Sequence, residues 1–137
     1  ESLALAALTL DKVVCGEQQP ESDHFIKEEN SHAGAIEDLR WREAKGWFSY
    51  QMKKEKSPAK LYVKYLVEGQ DRHSGITING KPIGELQPSV PAAATDSRVA
   101  LFDLPDELSQ LQSLTVKIAG HNAMTSHKIV EIRLLKK

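Results

Sequence analysis

The chain has 137 residues, of which 40% are hydrophobic, and this composition suits one globular domain with a core of its own. Its 18 Lys and Arg against 19 Asp and Glu give a net charge of −1, without the basic excess of nucleic-acid-binding proteins. The most apolar stretch, residues 3–10, is far shorter than the roughly 20 residues that cross a bilayer, and it lacks the features of a signal peptide. We therefore expect neither nucleic acid nor a membrane as a partner.

The opening residues 2–8 are ambiguous, because Ala and Leu favour a helix while the alternation also fits a strand. We interpret residues 1–10 as an N-terminal extension or junction, and residues 11–137 as a single domain. Cys15 is the only cysteine, so neither an internal disulfide nor a thiolate metal cage is possible. It follows two valines, and we predict that it is a buried apolar residue rather than a reactive thiol.

Several short segments alternate apolar with polar residues and are rich in β-branched and aromatic side chains, which is typical of half-buried antiparallel strands. The clearest of these predicted strands are residues 61–67, 76–78, 98–104, 114–119 and 130–134. Asn79-Gly80 supplies the two positive φ angles of a type I′ hairpin turn, and Pro82 places the returning strand at a sheet edge.

The remaining segments predict little regular structure. Residues 53–58 are interpreted as a charged, solvated hairpin tip, and residues 87–97 as a long irregular crossing. A short helix is predicted to begin at Pro105. About eight strands with one short helix favour an all-β fold, namely an antiparallel β-sandwich of jelly-roll or galactose-binding-like type.

Known catalytic motifs are missing from the sequence, which has no Gly-rich phosphate loop, His-Glu-x-x-His helix or Gly-x-Ser-x-Gly elbow. Adjacent carboxylates such as Glu28 and Glu29 would point to opposite faces of a strand, so they could not act together as glycosidase carboxylates do. His121 and His127 flank a loop and could converge on a metal, although two polar loop residues are the simpler interpretation. We predict no catalytic residues.

Two segments stand out by composition: residues 16–24 are densely polar, and residues 41–50 contain both tryptophans. A sugar site combines flat aromatic faces with polar side chains, and these segments could supply both. The candidate carbohydrate-binding or docking residues are Glu17, Gln18, Gln19, Asp23, His24, Trp41, Arg42, Trp47 and Tyr50. In the alternative that we favour, the aromatic residues form the core and one open end, and the polar segment caps strand ends or docks on another domain.

Residues 16–24 and 41–50 resemble the C-terminal β-sandwich of bacterial β-L-arabinofuranosidase-type glycoside hydrolases, long catalogued as a family of unknown function. The hairpin at 76–81 and the closing strand also fit that module, so the resemblance extends from about Asp11 to the end. In such enzymes a glutamate and a zinc-bound cysteine act in an α/α toroid barrel, which 137 residues could not hold. Cys15 and Glu17 therefore do not inherit those roles.

The resemblance implies a non-catalytic accessory module that packs on and stabilises a toroid-barrel hydrolase domain, exported to the periplasm or secreted by a gut-type bacterium. A carbohydrate-binding module for plant-type oligosaccharides is the alternative, and a small free-standing enzyme is a second one. No cofactor is required. Related sandwiches often hold a structural calcium ion through carboxylates, and the available residues are Glu17, Asp23 and Glu131.

Overall fold

The computed structural model describes residues 2–67, 71–88 and 96–137. These ranges contain nine strands, two short α-helices and one 3₁₀ turn. In chain order they are α1 (Leu3–Leu8), β1 (Thr9–Val14), α2 (Gln18–Asp23), β2 (Lys27–Ile36), β3 (Leu39–Lys53), β4 (Ala59–Leu66), β5 (Ser74–Ile78), β6 (Lys81–Leu86), β7 (Ser97–Asp103), the 3₁₀ turn (Asp106–Leu108), β8 (Ser113–Gly120) and β9 (Ile129–Lys136).

The strands form two antiparallel groups, and β3 of one group pairs with β9 of the other. One group runs β6-β5-β8-β3-β2, and the other runs β7-β4-β9-β1. The two groups join where Arg42 of β3 pairs with Ile129 of β9. Side chains from both groups, including Phe48 and Ile118 of one and Val63 and Ile132 of the other, share one buried core. The predicted antiparallel β-sandwich is therefore confirmed.

The hairpin formed by β5 and β6 has the predicted turn. Asn79 and Gly80 have φ angles of 52° and 80°, as a type I′ turn requires. Pro82 lies on β6 and pairs with Thr77 of β5. Because β6 is the last strand in the strand order, the predicted edge position is also confirmed. The turn thus fixes the first two pairs of the hairpin, Ile78–Lys81 and Thr77–Pro82, and the register then shifts by one residue between Thr77 and Ile76.

The start of the chain combines both structures that the sequence allowed. Residues 3–8 form α1, and the hydroxyl of Ser2 caps it by accepting a hydrogen bond from the Leu5 amide. Thr9 then begins β1, where it pairs with Leu135 of β9. A division of the chain at residue 10 stays a prediction. None of the helices in the described part of the chain has the length and apolar character needed to cross a membrane.

In residues 53–58 most side chains are exposed, as predicted for a solvated loop, but Lys54 is only 6% exposed. Its ammonium donates to the carbonyl oxygens of Glu55, Ser57 and Ser109, at 2.7, 2.7 and 2.8 Å. Burial lowers the pKa of this lysine. The side chain therefore ties the β3–β4 loop to the segment before β8 rather than extending into water.

Two further predictions concern irregular segments. The helix predicted from Pro105 is a single 3₁₀ turn, Asp106–Leu108, whose Leu108 is buried. Most of the predicted crossing at 87–97 lies outside the described residues. The main difference from the sequence-based expectations is α2, which forms within the polar segment 16–24 and brings part of that segment into the interior.

Candidate functional site

The polar segment is anchored to β3 by a buried ion pair. Glu21 of α2 is 4% exposed and accepts hydrogen bonds from both Nε and Nη2 of Arg42, at 2.8 and 3.0 Å. The same carboxylate accepts from the hydroxyl of Tyr50 at 2.5 Å and from the amide of Gly16 at 3.0 Å. This two-point contact of guanidinium and carboxylate fixes both position and orientation of α2.

Electrostatics within this network favour charged Glu21 and Arg42. Burial disfavours ionisation of Glu21, but the hydrogen bonds from Arg42, Tyr50 and Gly16 outweigh it and lower the pKa of the carboxyl. The hydrogen bonds to Glu21 raise the pKa of Arg42. Burial raises the pKa of the Cys15 thiol beside Tyr50. Cys15 is fully buried, so its predicted place in the apolar interior is confirmed.

The side chains of Arg42 and Tyr50 therefore hold α2 against the interior of the domain and do not form a surface site. Tyr50 is fully buried, with its ring edge-on to Phe48, and it offers no face to a sugar. The guanidinium of Arg42 donates hydrogen bonds to Glu21 and, at 2.9 Å, to the hydroxyl of Ser31. Their position corrects the expectation of an aromatic platform over 41–50, and it supports the alternative that these residues belong to the core.

Trp41 is 8% exposed and packs with Leu66 and Val130 at one end of the sandwich. Gly34 lies against its ring, so closely that a Cβ at that position would come within 2.4 Å of the indole. The ammonium of Lys128 lies 4.5 Å from the ring centroid. Its indole nitrogen is the one buried side-chain polar atom without a hydrogen-bond partner among the residues that the structure describes. Trp41 thus covers an open end, as the alternative proposed.

Trp47 lies on the outer face of the sheet and is half-buried. Its indole nitrogen donates to Glu29 at 3.2 Å, and the ammonium of Lys117 lies 4.5 Å from the ring centroid. One face of the ring is therefore already covered by a cation. Trp41 therefore offers no open aromatic face to a sugar ring, and Trp47 offers at most the face opposite Lys117.

An open aromatic face occurs instead at Phe25, directly after α2. This side chain is 67% exposed, and its backbone adopts a φ of 53°. Phe25 forms one wall of a surface pocket with a volume of about 420 Å³. The residues that line this Phe25 pocket are Leu10, Asp11, Asp23, His24, Phe25, Gln51, Lys53 and Ser113.

The polar walls of the Phe25 pocket are held in place by hydrogen bonds. His24 lies between two acceptors, with Nδ1 2.7 Å from the Pro20 carbonyl and Nε2 2.8 Å from Asp11 Oδ1. The other oxygen of Asp11 accepts from the amide of Lys53 at 2.8 Å. The side-chain amide of Gln51 donates to Thr115 at 2.8 Å. The pocket thus presents fixed polar groups beside an exposed ring.

The other predicted site residues are divided between the surface and the pocket. Glu17, Gln18 and Gln19 are exposed, and Gln19 donates to Asp23 at 2.8 Å. Of the nine predicted residues, Asp23 and His24 line the Phe25 pocket. The predicted cation ligands Glu17, Asp23 and Glu131 do not form a three-ligand group in the described part of the chain.

The histidines at the β8–β9 loop do not converge as one interpretation proposed. His127 is buried, and its ring lies between the hydroxyl of Ser74, at 2.9 Å, and the carbonyl of Gln87, at 3.1 Å. His121 instead lies against His73, with the two ring centroids 4.6 Å apart. Sequence reasoning missed Phe25, Asp11 and His73, and the signal for Phe25 was an aromatic residue next to a densely polar segment.

A family model matches residues 4–135, and the family is described as one of unknown function, DUF6805. The chain belongs to DUF6805. None of the curated proteins matches this DUF6805 domain significantly.

Solved structures with the same fold include two carbohydrate-binding modules. A module from Cellvibrio mixtus lichenase 5A, in complex with cellotriose, is similar with a TM-score of 0.60 at 14% identity, over 95% of this chain and 99% of that one. A family 35 module from Clostridium thermocellum is similar with a TM-score of 0.57 at 10% identity, over 92% of this chain and 98% of that one.

A third similar structure comes from a plant. The extracellular domain of ANXUR1 from Arabidopsis thaliana has a TM-score of 0.65 at 13% identity, over 93% of this chain and 42% of that one. At these identities the similarity establishes the shared β-sandwich fold. The family match and these similarities support part of the resemblance predicted from the sequence, while its link to β-L-arabinofuranosidase-type enzymes stays a prediction.

Proposed function

We propose that this DUF6805 domain is a non-catalytic carbohydrate-binding module, and that the Phe25 pocket is its ligand site. The observation that carries the proposal is the exposed ring of Phe25 beside the fixed polar groups of Asp11, Asp23, His24 and Gln51. The similar modules from Cellvibrio mixtus and Clostridium thermocellum support the same class of ligand.

The chemistry of the pocket suits a sugar ring. The exposed face of Phe25 can pack against the C–H groups of one pyranose or furanose face, while the carboxylate of Asp23 and the side-chain amide of Gln51 can bond its hydroxyls. A volume of about 420 Å³ lies within the range of small-ligand sites. A second pocket of about 410 Å³, near Pro58 and Lys137, has no aromatic wall. The Phe25 pocket is thus the better candidate for a sugar.

Binding is tested by titrating cellotriose, β-1,3-galactotriose and arabino-oligosaccharides into the domain, with calorimetry and amide chemical shifts as readouts. We expect a millimolar or tighter Kd for at least one of them, with shifts confined to residues around Phe25 and Gln51. Phe25→Ala is expected to weaken this binding about tenfold or more, because it removes the exposed ring.

Leu3→Ala is the matched control, since Leu3 is 89% exposed and does not line the pocket. It should leave the Kd unchanged. Equal affinity in Phe25→Ala and wild type would move the site elsewhere on the sandwich. If none of the three kinds of oligosaccharide binds, the proposal that this domain binds such sugars is contradicted.

A second proposal concerns the setting of the module. The similar carbohydrate-binding module from Cellvibrio mixtus comes from a lichenase, which favours an accessory role beside a glycoside hydrolase domain here too. Glu17, which precedes α2, and the α2 residues Gln18 and Gln19 are exposed and available for docking on such a domain. A periplasmic or secreted location in a bacterium follows from this proposal, since plant-type oligosaccharides occur outside the cell.

The accessory role is tested in the full-length polypeptide that contains this domain. We expect a toroid-barrel hydrolase domain in the same chain, and a lower Tm for that hydrolase when the DUF6805 domain is removed. Gln18→Ala combined with Glu17→Ala should lower the Tm in the same direction if α2 forms the contact. An unchanged Tm after removal would contradict the stabilising role and leave carbohydrate binding untouched.

A further inference from the structure

Three side chains with metal-ligating atoms meet at the edge of the sheet away from the Phe25 pocket. His73 precedes β5, Glu85 belongs to β6, and His121 follows β8. One ligand atom from each lies within 4.8 Å of the other two. No other group of three His, Cys, Asp or Glu residues lies this close together within residues 2–67, 71–88 and 96–137.

The backbone places the three residues together. The amide of His121 donates to the carbonyl of His73 at 3.0 Å, which continues the β5–β8 ladder by one residue beyond Ser74 and Gly120. Glu85 pairs with Gly75 in the β5–β6 hairpin. The His121 ring lies next to Gly75, since a Cβ there would be in van der Waals contact with its Nδ1, at 3.4 Å. The cluster therefore lies on three adjacent strands of the sheet, with Glu85 within β6 and the two histidines directly next to the ends of β5 and β8.

The distances are close to those that a bound metal needs. His73 Nε2 and His121 Nε2 lie 2.7 and 3.3 Å from the same Glu85 oxygen, Oε1. Zinc bonds to nitrogen and oxygen of about 2.0–2.1 Å at a tetrahedral angle separate neighbouring ligand atoms by roughly 3.3 Å. The Glu85–His121 pair already has this spacing, and the Glu85–His73 pair needs to open by about half an ångström.

The burial of the three ligands is graded. The side chain of His73 is 9% exposed, while those of Glu85 and His121 are 42% and 39% exposed. An ion could enter from solvent through the two exposed ligands and bind against the buried one. Both imidazoles lie within 3.3 Å of one oxygen of Glu85, so the three ligands are already gathered around one point.

We propose that His73, Glu85 and His121 form a binding site for a divalent transition-metal ion of the class that prefers imidazole nitrogen, with Zn²⁺ as its representative. Two neutral imidazoles and one carboxylate are a ligand set of this class, whereas Ca²⁺ and Mg²⁺ prefer oxygen ligands throughout. Water completes the coordination. Because the ligands come from three strands, the ion joins the edge hairpin β5–β6 to the end of β8 and stabilises the folded state.

The test uses the whole domain, produced without a histidine tag, treated with EDTA and dialysed. Titration with Zn²⁺ in a calorimeter should give about one equivalent with a micromolar or lower Kd, and Zn²⁺ should raise the Tm reversibly. Ca²⁺ should bind at least tenfold more weakly. His121→Ala removes a half-exposed ligand and should lower the Zn²⁺ affinity about tenfold or more.

Two further variants make the result specific. Glu85→Gln keeps the size of the side chain and removes its charge, so it should also lower the Zn²⁺ affinity. His32→Ala is the matched control, because His32 is an exposed histidine 3.3 Å from a single carboxylate, Glu43, with no third ligand in the described residues. It should leave the Zn²⁺ affinity unchanged.

Three results would overturn the metal site. The first is no heat and no rise in Tm with Zn²⁺ up to about 0.1 mM. The second is binding that His121→Ala and Glu85→Gln both leave unchanged. The third is an equal loss of affinity in His32→Ala, which would show diffuse binding to surface histidines. Each of them leaves the proposed carbohydrate site unaffected, because the Phe25 pocket shares no residue with the cluster.

Discussion

Glu21→Ala is expected to destabilise the domain by about 3–5 kcal/mol, because it removes the buried carboxylate that pairs with the guanidinium of Arg42. The Arg42 side chain is 11% exposed, so water replaces the lost partner poorly. The same change removes the acceptor for the hydroxyl of Tyr50 and for the amide of Gly16. The loss is a large share of the 5–15 kcal/mol that typically stabilises a domain.

Urea unfolding at neutral pH measures this change. Glu28→Ala is the matched control, since Glu28 is also a carboxylate near Arg42, at 3.7 Å, but its side chain is 44% exposed. We expect that control to cost less than about 1 kcal/mol. Similar losses in the two variants would show that Glu21 acts as an ordinary surface carboxylate and that α2 is not anchored through it.

His127 is expected to make the folded state sensitive to acid. Burial lowers the pKa of this histidine from 6.5 to about 4, and the nearby positive charge of Arg72 acts in the same direction. The imidazole is neutral in both states above pH 6.5, where the folded state keeps its full stability. Between pH 6.5 and about 4 the unfolded chain binds a proton that the folded ring does not.

Stability should therefore fall as the pH falls through this window, by up to about 3 kcal/mol in total for this one residue. Urea unfolding of the wild type and His127→Asn at about pH 7 and about pH 5 isolates the contribution, because the asparagine cannot take up a proton. The difference in unfolding free energy between these pH values should be smaller in the variant. His32→Asn, at an exposed histidine, should behave as the wild type does. An equal pH dependence in His127→Asn and the wild type would assign the acid sensitivity to other groups.

The strands could be predicted from the sequence because their signals are local. The turn Asn79-Gly80 fixes a hairpin by its backbone requirements alone. Leu61 and Val63 follow the alternation of a half-buried strand, and the structure buries both of them.

The candidate site could not be predicted in the same way, because it depends on contacts between distant segments. Residues 16–24 look like a solvated run, but one carboxylate in that run, Glu21, meets an arginine 21 positions later. This pairing turns α2 inward at Glu21 and leaves Phe25 exposed at its end. The positive φ of Phe25 is rare for an aromatic residue and has no signal in the sequence.

The histidine cluster was not accessible from the sequence. A regular hairpin with its turn at residues 79–80 would pair Ser74 with Glu85, and His73 would lie on the other face of the strand. A register shift between Ile76 and Thr77 pairs Gly75 with Glu85 instead, which brings His73 and Glu85 to the same face. The contribution of His121 was not accessible, since it requires that β8 lies beside β5 in the sheet. Searching for histidines at helical spacing missed the cluster, because its ligands are neighbours across strands.

The ammonium group of Lys54 occupies a position inside the domain that resembles the binding site of a monovalent cation. It is surrounded by three carbonyl oxygens, as a potassium or sodium ion would be, and those oxygens come from two separate loops. Because this positive charge is covalently attached, chelating agents and dialysis cannot remove it. Amine-reactive reagents should also label the exposed lysines of the domain well before this one.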